Sequence, residues 1–299
     1  MLHTRRHFIR IVPTLGAFAV PALAAPLASA RAALRQQSTL PTPQPATRNP
    51  QSSGEPVWPP PEPARGTPVD ESFPSLHESL AKEIVGVSHG NLPRVRELVQ
   101  QHPALAKASF DWGYGDFETA LGAAAHTGRR EIAQLLIENG APPTLFSAAM
   151  LGQLDLLKAF LAATPGAQRM RGPHSISLMV HAKLGGPPAA TVVAYLESLG
   201  DADLPLKDEP IDAADRAELD GRYGFGDRRR DSFIVATTPK QVGIARVGAE
   251  SRFLRHLGSL EFHPVGAPAV RIRFERDGKR VAAMTVSDPD LIVRGHKVS

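Results

Sequence analysis

The chain has 299 residues, no cysteine and a formal net charge of +4. The lack of cysteine excludes disulfides, thiolate metal sites, a cysteine nucleophile and lipidation of an N-terminal cysteine. Three of the basic residues, Arg5, Arg6 and Arg10, lie within the first 30 residues, which contain no acidic residue. The rest of the chain therefore has a formal charge of only +1, which does not predict a nucleic-acid partner.

The first segment, 1–30, is predicted to be an export signal. Residues 4–10 read Thr-Arg-Arg-His-Phe-Ile-Arg and precede the apolar run 11–27. With its defining residues Arg5, Arg6 and Phe8, the segment resembles a twin-arginine signal, which implies export of a folded protein to the periplasm or the extracellular space. An ordinary secretory signal and a short membrane anchor are the alternatives, although a span needs about 20 apolar residues.

Cleavage of this signal is expected at a site with small residues at alternate positions. Ala28-Ser29-Ala30 fits that pattern, with Ala28 and Ala30 as its small residues, and Ala22-Leu23-Ala24 is a second candidate. The chain after residue 30 contains no apolar run of spanning length. No stable membrane insertion is therefore expected once the signal is removed.

The next segment, 31–73, is predicted to be a disordered, proline-rich linker. Ten prolines lie among Gln, Ser, Thr and Arg, and large apolar residues are few. Such a stretch buries too little apolar surface to offset its ordering entropy, and it favours extended polyproline II structure. A proline-motif ligand for a partner domain is the alternative.

Residues 74–203 carry helical periods, small residues and regularly placed glycines. Residues 119–128 read Thr-Ala-Leu-Gly-Ala-Ala-Ala-His-Thr-Gly, and a second helical period at 131–141 ends in Gly-Ala. This pattern resembles an ankyrin repeat, with weaker copies on either side, and implies about four irregular repeats. The residues expected to maintain the repeat structure are Gly90, Thr119, Leu121, Gly128, Leu135, Leu136, Gly140, Gly152 and Gly185.

A linker is predicted at 204–215 and a small antiparallel all-β domain at 216–299. Val270, Ile272 and Phe274 alternate with charged residues, and Asp277-Gly278 predicts a hairpin turn before a returning strand. Short motifs here resemble the small β domain that trails serine β-lactamase-like proteins, which implies an accessory role. The expected fold class is therefore multidomain: an α-helical ankyrin-repeat solenoid followed by a small antiparallel all-β domain.

Two strings spell catalytic motifs, but neither has the context that its chemistry needs. Residues 86–90, Gly-Val-Ser-His-Gly, match a nucleophile elbow around Ser88, although no strand is predicted before them. Residues 79–82 spell Ser-x-x-Lys without the companion motifs of serine β-lactamases. No catalytic residue is predicted.

Metal ligands are not predicted either. His174 and His181 are seven residues apart, but Gly172-Pro173 argues against one helix spanning both, and His181 occupies the position of a packed core histidine. His126 precedes a repeat glycine, where a solvent-facing or capping role is expected. No metal and no cofactor are therefore predicted from the sequence.

The loop 111–118 is the strongest candidate for partner binding. It reads Asp-Trp-Gly-Tyr-Gly-Asp-Phe-Glu, and aromatic side chains often dominate interface energetics. The predicted protein-binding residues are Asp111, Trp112, Tyr114, Asp116 and Phe117. The alternative is that Trp112 and Phe117 only seal a repeat junction.

The basic run 228–230 is either a solvated turn or a site for an anionic partner.

The sequence favours a non-enzymatic, exported ankyrin-repeat scaffold that binds a protein partner of unknown identity. An accessory subunit of a folded, co-exported periplasmic complex is one version of this hypothesis. The alternative is an exported enzyme or small-ligand binder that uses the C-terminal β domain or its junction with the repeats. A pocket carrying a perturbed acid/base pair would favour that alternative.

Overall fold

The computed structural model describes residues 71–298, which form a helical part followed by a β barrel. The predicted export signal, its cleavage sites and the linker up to residue 70 lie outside the described residues. Within the described range, no helix combines the length and apolar character needed to cross a membrane.

Short antiparallel helices make up the helical part. Several begin at a side-chain cap: Thr119 Oγ1 accepts from the Gly122 amide at 2.9 Å, and Thr144 and Ser147 cap each other's backbone amides. The helices are α1 (Glu78–Val87), α2 (Leu92–Gln101), α3 (Ala120–His126), α4 (Arg130–Glu138), α5 (Leu145–Leu151), α6 (Leu154–Ala163), α7 (Leu178–Leu184), α8 (Ala190–Leu199) and α9 (Ala213–Glu218).

Small residues allow the helices of the inner layer to approach closely. All residues of α3 from Ala120 to Ala125 are buried, and α3 packs between α1 and α5, while α7 packs against α5. A side chain at Gly185 would place its Cβ 2.1 Å from the Met150 carbonyl oxygen. The apolar sides of α2 and α4 cover this layer and complete the core.

The prediction of an ankyrin-repeat solenoid is wrong. Residues 71–298 contain nine helices and a closed eight-stranded barrel, not a clear solenoid of helical repeats followed by a small β domain. The helical pairs are joined by unlike connections: a two-stranded ribbon before α3, but 3-10 turns at Ala167–Arg169 and Pro173–Ser175 before α7. The recurrent glycines do not establish a repeat, because left-handed glycines such as Gly152 end helices in many folds.

The residues assigned to the repeats have ordinary helical roles. Thr119 caps α3, and Leu121 and Leu136 are buried, while Leu135 is partly buried. The glycines among them lie at helix ends or close helix contacts: Gly90, Gly128, Gly140, Gly152 and Gly185.

The C-terminal part is a closed eight-stranded antiparallel barrel rather than the small antiparallel all-β domain that was predicted. Strands β1 (Ser109–Asp111) and β2 (Phe117–Thr119) precede the barrel in the chain. The barrel strands are β3 (Gly221–Gly224), β4 (Ser232–Thr237), β5 (Val242–Arg246), β6 (Arg252–Gly258), β7 (Glu261–Pro264), β8 (Arg271–Asp277), β9 (Arg280–Asp288) and β10 (Leu291–Lys297). Their hydrogen-bonded order is β10-β3-β4-β5-β6-β7-β8-β9, and β10 closes the barrel by pairing with β3.

Side chains fill the barrel. Ile272 and Phe274 of β8 point inward and are buried, as the alternation predicted. Phe274 makes edge-on ring contacts with Tyr223 and Phe262, each with centroids 5.6 Å apart. The predicted hairpin is present, with Asp277 paired to Arg280 and Gly278 at φ 58°.

A short ribbon and its loop join the helices to the barrel. The ribbon pairs β1 (Ser109–Asp111) with β2 (Phe117–Thr119). The turn between them has three residues with positive φ, namely Gly113, Tyr114 and Gly115. Trp112 packs against the helical core, while Tyr114 packs against the barrel core. The flanking glycines allow this sharp turn because they carry no Cβ.

A pair of glycine substitutions tests the close packing at the end of α5. Gly152 and Gly200 both end helices with φ near the left-handed region, 73° and 77°. A Cβ on Gly152 would lie 2.2 Å from the Pro188 carbonyl oxygen, whereas a Cβ on Gly200 meets nothing within 4 Å. We expect Gly200→Ala to cost about 1–2 kcal/mol of unfolding free energy from backbone strain.

Gly152→Ala adds a steric clash to the same strain. We expect a further loss of about 1–3 kcal/mol, measured by urea unfolding of both variants. Equal losses for the two variants would contradict the close contact with Pro188.

Candidate metal centre

Four side chains converge between the helices and the ribbon. His89, Glu118, His126 and His174 each offer one nitrogen or oxygen atom, and these atoms all lie within 4.8 Å of one another. We call this set the His–Glu cluster. Imidazole nitrogen and carboxylate oxygen are ligands of zinc and of related divalent ions.

Each member of the cluster comes from a different element. His89 lies in the turn between α1 and α2, and Glu118 is the central residue of β2. His126 is the last residue of α3, and His174 lies in the 3-10 turn Pro173–Ser175. The fold therefore assembles the cluster from residues that are far apart in the chain.

The spacings in the cluster suit a shared ion. His89 Nε2 lies 3.2 Å from His126 Nε2 and 3.5 Å from Glu118 Oε2, and His174 Nε2 lies 3.4 Å from Glu118 Oε1. Zinc bonds of the usual length place tetrahedral ligand atoms about 3.3–3.5 Å apart. The distance from His126 Nε2 to Glu118 Oε1, 2.6 Å, is shorter than this.

Glu118 is an ionised carboxylate in a fully buried position. Burial raises its pKa, but the contacts with His126 and His174 outweigh burial and hold the pKa at about 2. Trp112 Nε1 donates to Oε2 at 2.7 Å. Oε1 has no hydrogen-bond partner of good geometry within residues 71–298, although two histidine nitrogens lie close to it. A cation shared with those nitrogens would satisfy this oxygen.

Backbone contacts orient His89. Its Nδ1 lies 3.0 Å from the Gly86 carbonyl oxygen, and Arg129 Nε donates to the His89 carbonyl at 2.8 Å. An Nδ1–H that donates to a carbonyl leaves Nε2 with a free lone pair. The ring therefore presents Nε2 to the cluster, as a metal ligand requires.

A carboxylate contacts the Nδ1 side of the His174 ring. Asp116 is buried, and its Oδ2 accepts from His174 Nδ1 at 2.7 Å, while its Oδ1 accepts from the His174 amide at 3.0 Å. Arg252 of β6 donates through Nη2 to the same carboxylate. This carboxylate–histidine arrangement fixes the ring and directs Nε2 toward the cluster.

The turn that carries His174 is strained. His174 and Ser175 have φ of 58° and 59°, in the left-handed region that non-glycine residues rarely adopt. Ser175 Oγ accepts from the Gly266 amide at 3.1 Å, which links the turn to the barrel. Strained backbone of this kind concentrates at functional sites.

A further histidine, His181, lies beside the cluster without joining it. Its ring centroid is 6.5 Å from that of His126, and its Nδ1 lies 2.8 Å from the Ser177 carbonyl oxygen. Burial lowers the pKa of His181 to about 4, so the ring is neutral at physiological pH. A packed core histidine was predicted at this position, and His181 is fully buried.

The predicted protein-binding residues are divided between the interior and the surface. Asp116 is buried and hydrogen-bonds to His174, whereas Trp112 and Tyr114 are partly buried and pack against the two cores. Asp111 and Phe117 are exposed, Phe117 by 64%. Partner binding by this loop stays a prediction. The exposed residues Asp111 and Phe117 are the ones most accessible to a partner.

The two catalytic strings have structural roles. Ser88 is fully buried at the end of α1, where its Oγ donates to the Ile84 carbonyl at 2.6 Å. Lys82 forms an exposed ion pair with Glu250. In the basic run 228–230, Arg228 is paired with Asp231.

The His–Glu cluster was not predicted from the sequence, where no metal ligand was expected. His174 was paired there only with His181, and neither His89 nor Glu118 stands in a recognised ligand spacing. One signal was present: His89 and His126 both lie just before a helix-ending turn, at Gly90 and Gly128. Neighbouring hairpins place such positions side by side.

No known protein family matches the chain, and no curated protein matches it. Function is therefore inferred from the cluster and its surroundings.

Proposed function

We propose that this chain binds a divalent transition-metal ion, with zinc as the best candidate, through His89, Glu118, His126 and His174. The observation that carries the proposal is the convergence of three imidazoles and one buried carboxylate within 4.8 Å. Three nitrogens and one oxygen form a complete tetrahedral set for zinc. The supporting contacts of His89 and His174 are those expected around metal-binding histidines.

Solvent reaches one side of the cluster. The side chains of His89 and His174 are 33% and 21% exposed, whereas Glu118 is fully buried. An ion at this position could therefore enter without unfolding of the chain. The expectation that the chain is not an enzyme stays a prediction, because zinc serves both structural and catalytic sites.

The test is metal binding by the full chain after chelation. We expect one zinc ion per chain, and a zinc concentration of 100 times Kd should stabilise the fold by about 2.7 kcal/mol. His126→Ala removes one ligand and should abolish tight binding. His102→Ala removes a histidine from the end of α2, outside the cluster, and should leave binding unchanged.

Zinc content measured by mass spectrometry and stability measured by thermal unfolding are the two readouts. Retention of zinc by His126→Ala at the level of His102→Ala would sink the proposal, and so would a wild-type chain that takes up no zinc. The lack of cysteine simplifies the measurement, since no thiolate competes for the ion.

Protein-partner binding remains a second candidate, favoured by the exposure of Phe117 on the loop next to the cluster. A large apolar side chain on an exposed ribbon is a suitable anchor for a protein interface. Export by the twin-arginine route and a role as an accessory subunit in the periplasm stay predictions, since the signal lies outside the described residues.

A further inference from the structure

A cavity of about 250 Å³ lies between the loop 111–118 and the barrel. Trp112 and Tyr114 form one wall, and Phe233 and Ile244 form the other. We call it the loop–barrel cavity. An apolar cavity of about 150 Å³ is large enough to hold benzene, so this one can hold a molecule with a single ring or a short alkyl chain.

The cavity wall also carries a guanidinium with unused donors. The Arg252 side chain is only 11% exposed, and its Nη2 makes all of the hydrogen bonds that this side chain donates within residues 71–298, to Asp116 and to the Val265 carbonyl. Its Nε is buried and lacks a partner in that range. A buried donor on a charged group that lacks an acceptor is destabilising, and an anionic ligand would remove that cost.

Tyr114 supplies a second free donor. Its hydroxyl makes no hydrogen bond to any residue in the range 71–298. Burial raises the pKa of Tyr114 to about 12, with a further contribution from Asp288, so the hydroxyl keeps its proton at neutral pH.

Two charged residues that line the cavity are already paired, Glu250 with Lys82 and Arg246 with Asp231. Asp111 and Asp288 form no ion pair within residues 71–298 and act electrostatically on Arg252 and Tyr114, so Arg252 must attract the anion against these two carboxylates.

We propose that the loop–barrel cavity binds a small carboxylate whose apolar body is one ring or a short chain. The carboxylate lies on Arg252 and Tyr114, and the apolar body packs against Trp112, Phe233 and Ile244. Apolar walls with a few polar donors that orient the ligand are the usual construction of a small-molecule site. This site adjoins the His–Glu cluster, because Trp112 also donates to Glu118 and Arg252 to Asp116, but none of the four proposed metal ligands lines the cavity.

Benzoate and hexanoate are the probes, titrated into the full chain by calorimetry with and without zinc. Benzyl alcohol is the neutral control for benzoate. We expect saturable millimolar or tighter binding of at least one carboxylate, and binding of benzyl alcohol that is weaker than that of benzoate by about tenfold or more. Tyr114→Phe removes only the hydroxyl and should weaken carboxylate binding by about threefold to tenfold.

A second variant tests the location without disturbing Arg252. Ala249 lies at the exposed rim of the cavity, and Ala249→Phe should fill the entrance and abolish binding. Ala163→Phe at the exposed end of α6 is the matched control and should bind like the wild type. Thermal unfolding checks that each variant is folded.

Three results would overturn the proposal: no binding of either carboxylate, equal affinity for benzoate and benzyl alcohol, or unchanged binding in folded Ala249→Phe. Carboxylate binding that survives chelation of zinc would support it even if the His–Glu cluster binds no metal.

Discussion

Asp116→Asn is expected to destabilise the fold by about 3–5 kcal/mol, because it removes the negative charge that is in direct contact with the largely buried guanidinium of Arg252. Arg252 is almost fully buried and donates to Asp116, which also accepts from His174 through both carboxylate oxygens. Asparagine has nearly the same shape, but it lacks the charge and offers one acceptor instead of two. The free energy of unfolding in urea, with zinc removed, is the measurement.

An exposed ion pair provides the control. Asp215 contacts Arg276, and its side chain is 47% exposed, so Asp215→Asn should cost less than about 1 kcal/mol. Combining Asp116→Asn with Arg252→Met removes the unpaired charge as well, and this double variant should recover part of the loss. A loss for Asp116→Asn no larger than that for Asp215→Asn would contradict the buried network.

Glu118→Gln should lower zinc affinity by about 100-fold or more, since a substitution in the supporting shell alone costs about 10- to 100-fold. Glutamine keeps a carbonyl oxygen that can accept from Trp112 Nε1, which now donates to Glu118 at 2.7 Å. The substitution therefore removes the negative charge from the centre while retaining most of the local packing. Zinc titration against a competing chelator gives the affinity ratio.

The stability of metal-free Glu118→Gln separates loss of a ligand from loss of the fold. Glu131→Gln, in the first turn of the exposed side of α4, is the matched control and should leave zinc affinity unchanged. If Glu118→Gln retained wild-type affinity while folded, the carboxylate would not be a ligand. If the variant were unfolded without zinc, His126→Ala would provide the decisive comparison.

Local structure was predictable wherever the signal lies within a few residues. The alternation at Val270, Ile272 and Phe274 correctly gave an inward-facing strand, and Asp277-Gly278 correctly gave a hairpin. Closure of the barrel was not predictable in the same way. It depends on β10 pairing with β3, with Lys297 opposite Tyr223, and no local pattern specifies pairing between strands so far apart.

The ankyrin prediction failed for a related reason. Helix caps and helix-ending glycines, such as Thr119 and Gly152, are properties of single helices. They recur in any set of short helical hairpins and do not specify that successive hairpins are equivalent. The 3-10 turns and the ribbon between hairpins distinguish this fold, and no regular sequence pattern predicted them.

The candidate metal centre was beyond motif reasoning because its ligands share no spacing. His89 lies near the start of the helical part of the sequence and His174 lies near its end. The two residues meet only because α1, α3 and the turn Pro173–Ser175 pack together. The loop 111–118 was predicted to bind a partner, and this stays a prediction. Its acidic residues Asp116 and Glu118, however, face the interior.

The loop 111–118 also couples the unfolding of the helical part to that of the barrel. Trp112 is anchored in the helical core and Tyr114 in the barrel core, so one short segment belongs to both. Opening the loop exposes apolar surface on the two sides at once, and neither side retains its native boundary without the other. We therefore expect the helical part and the barrel to unfold as one cooperative unit, although their secondary structures are entirely different.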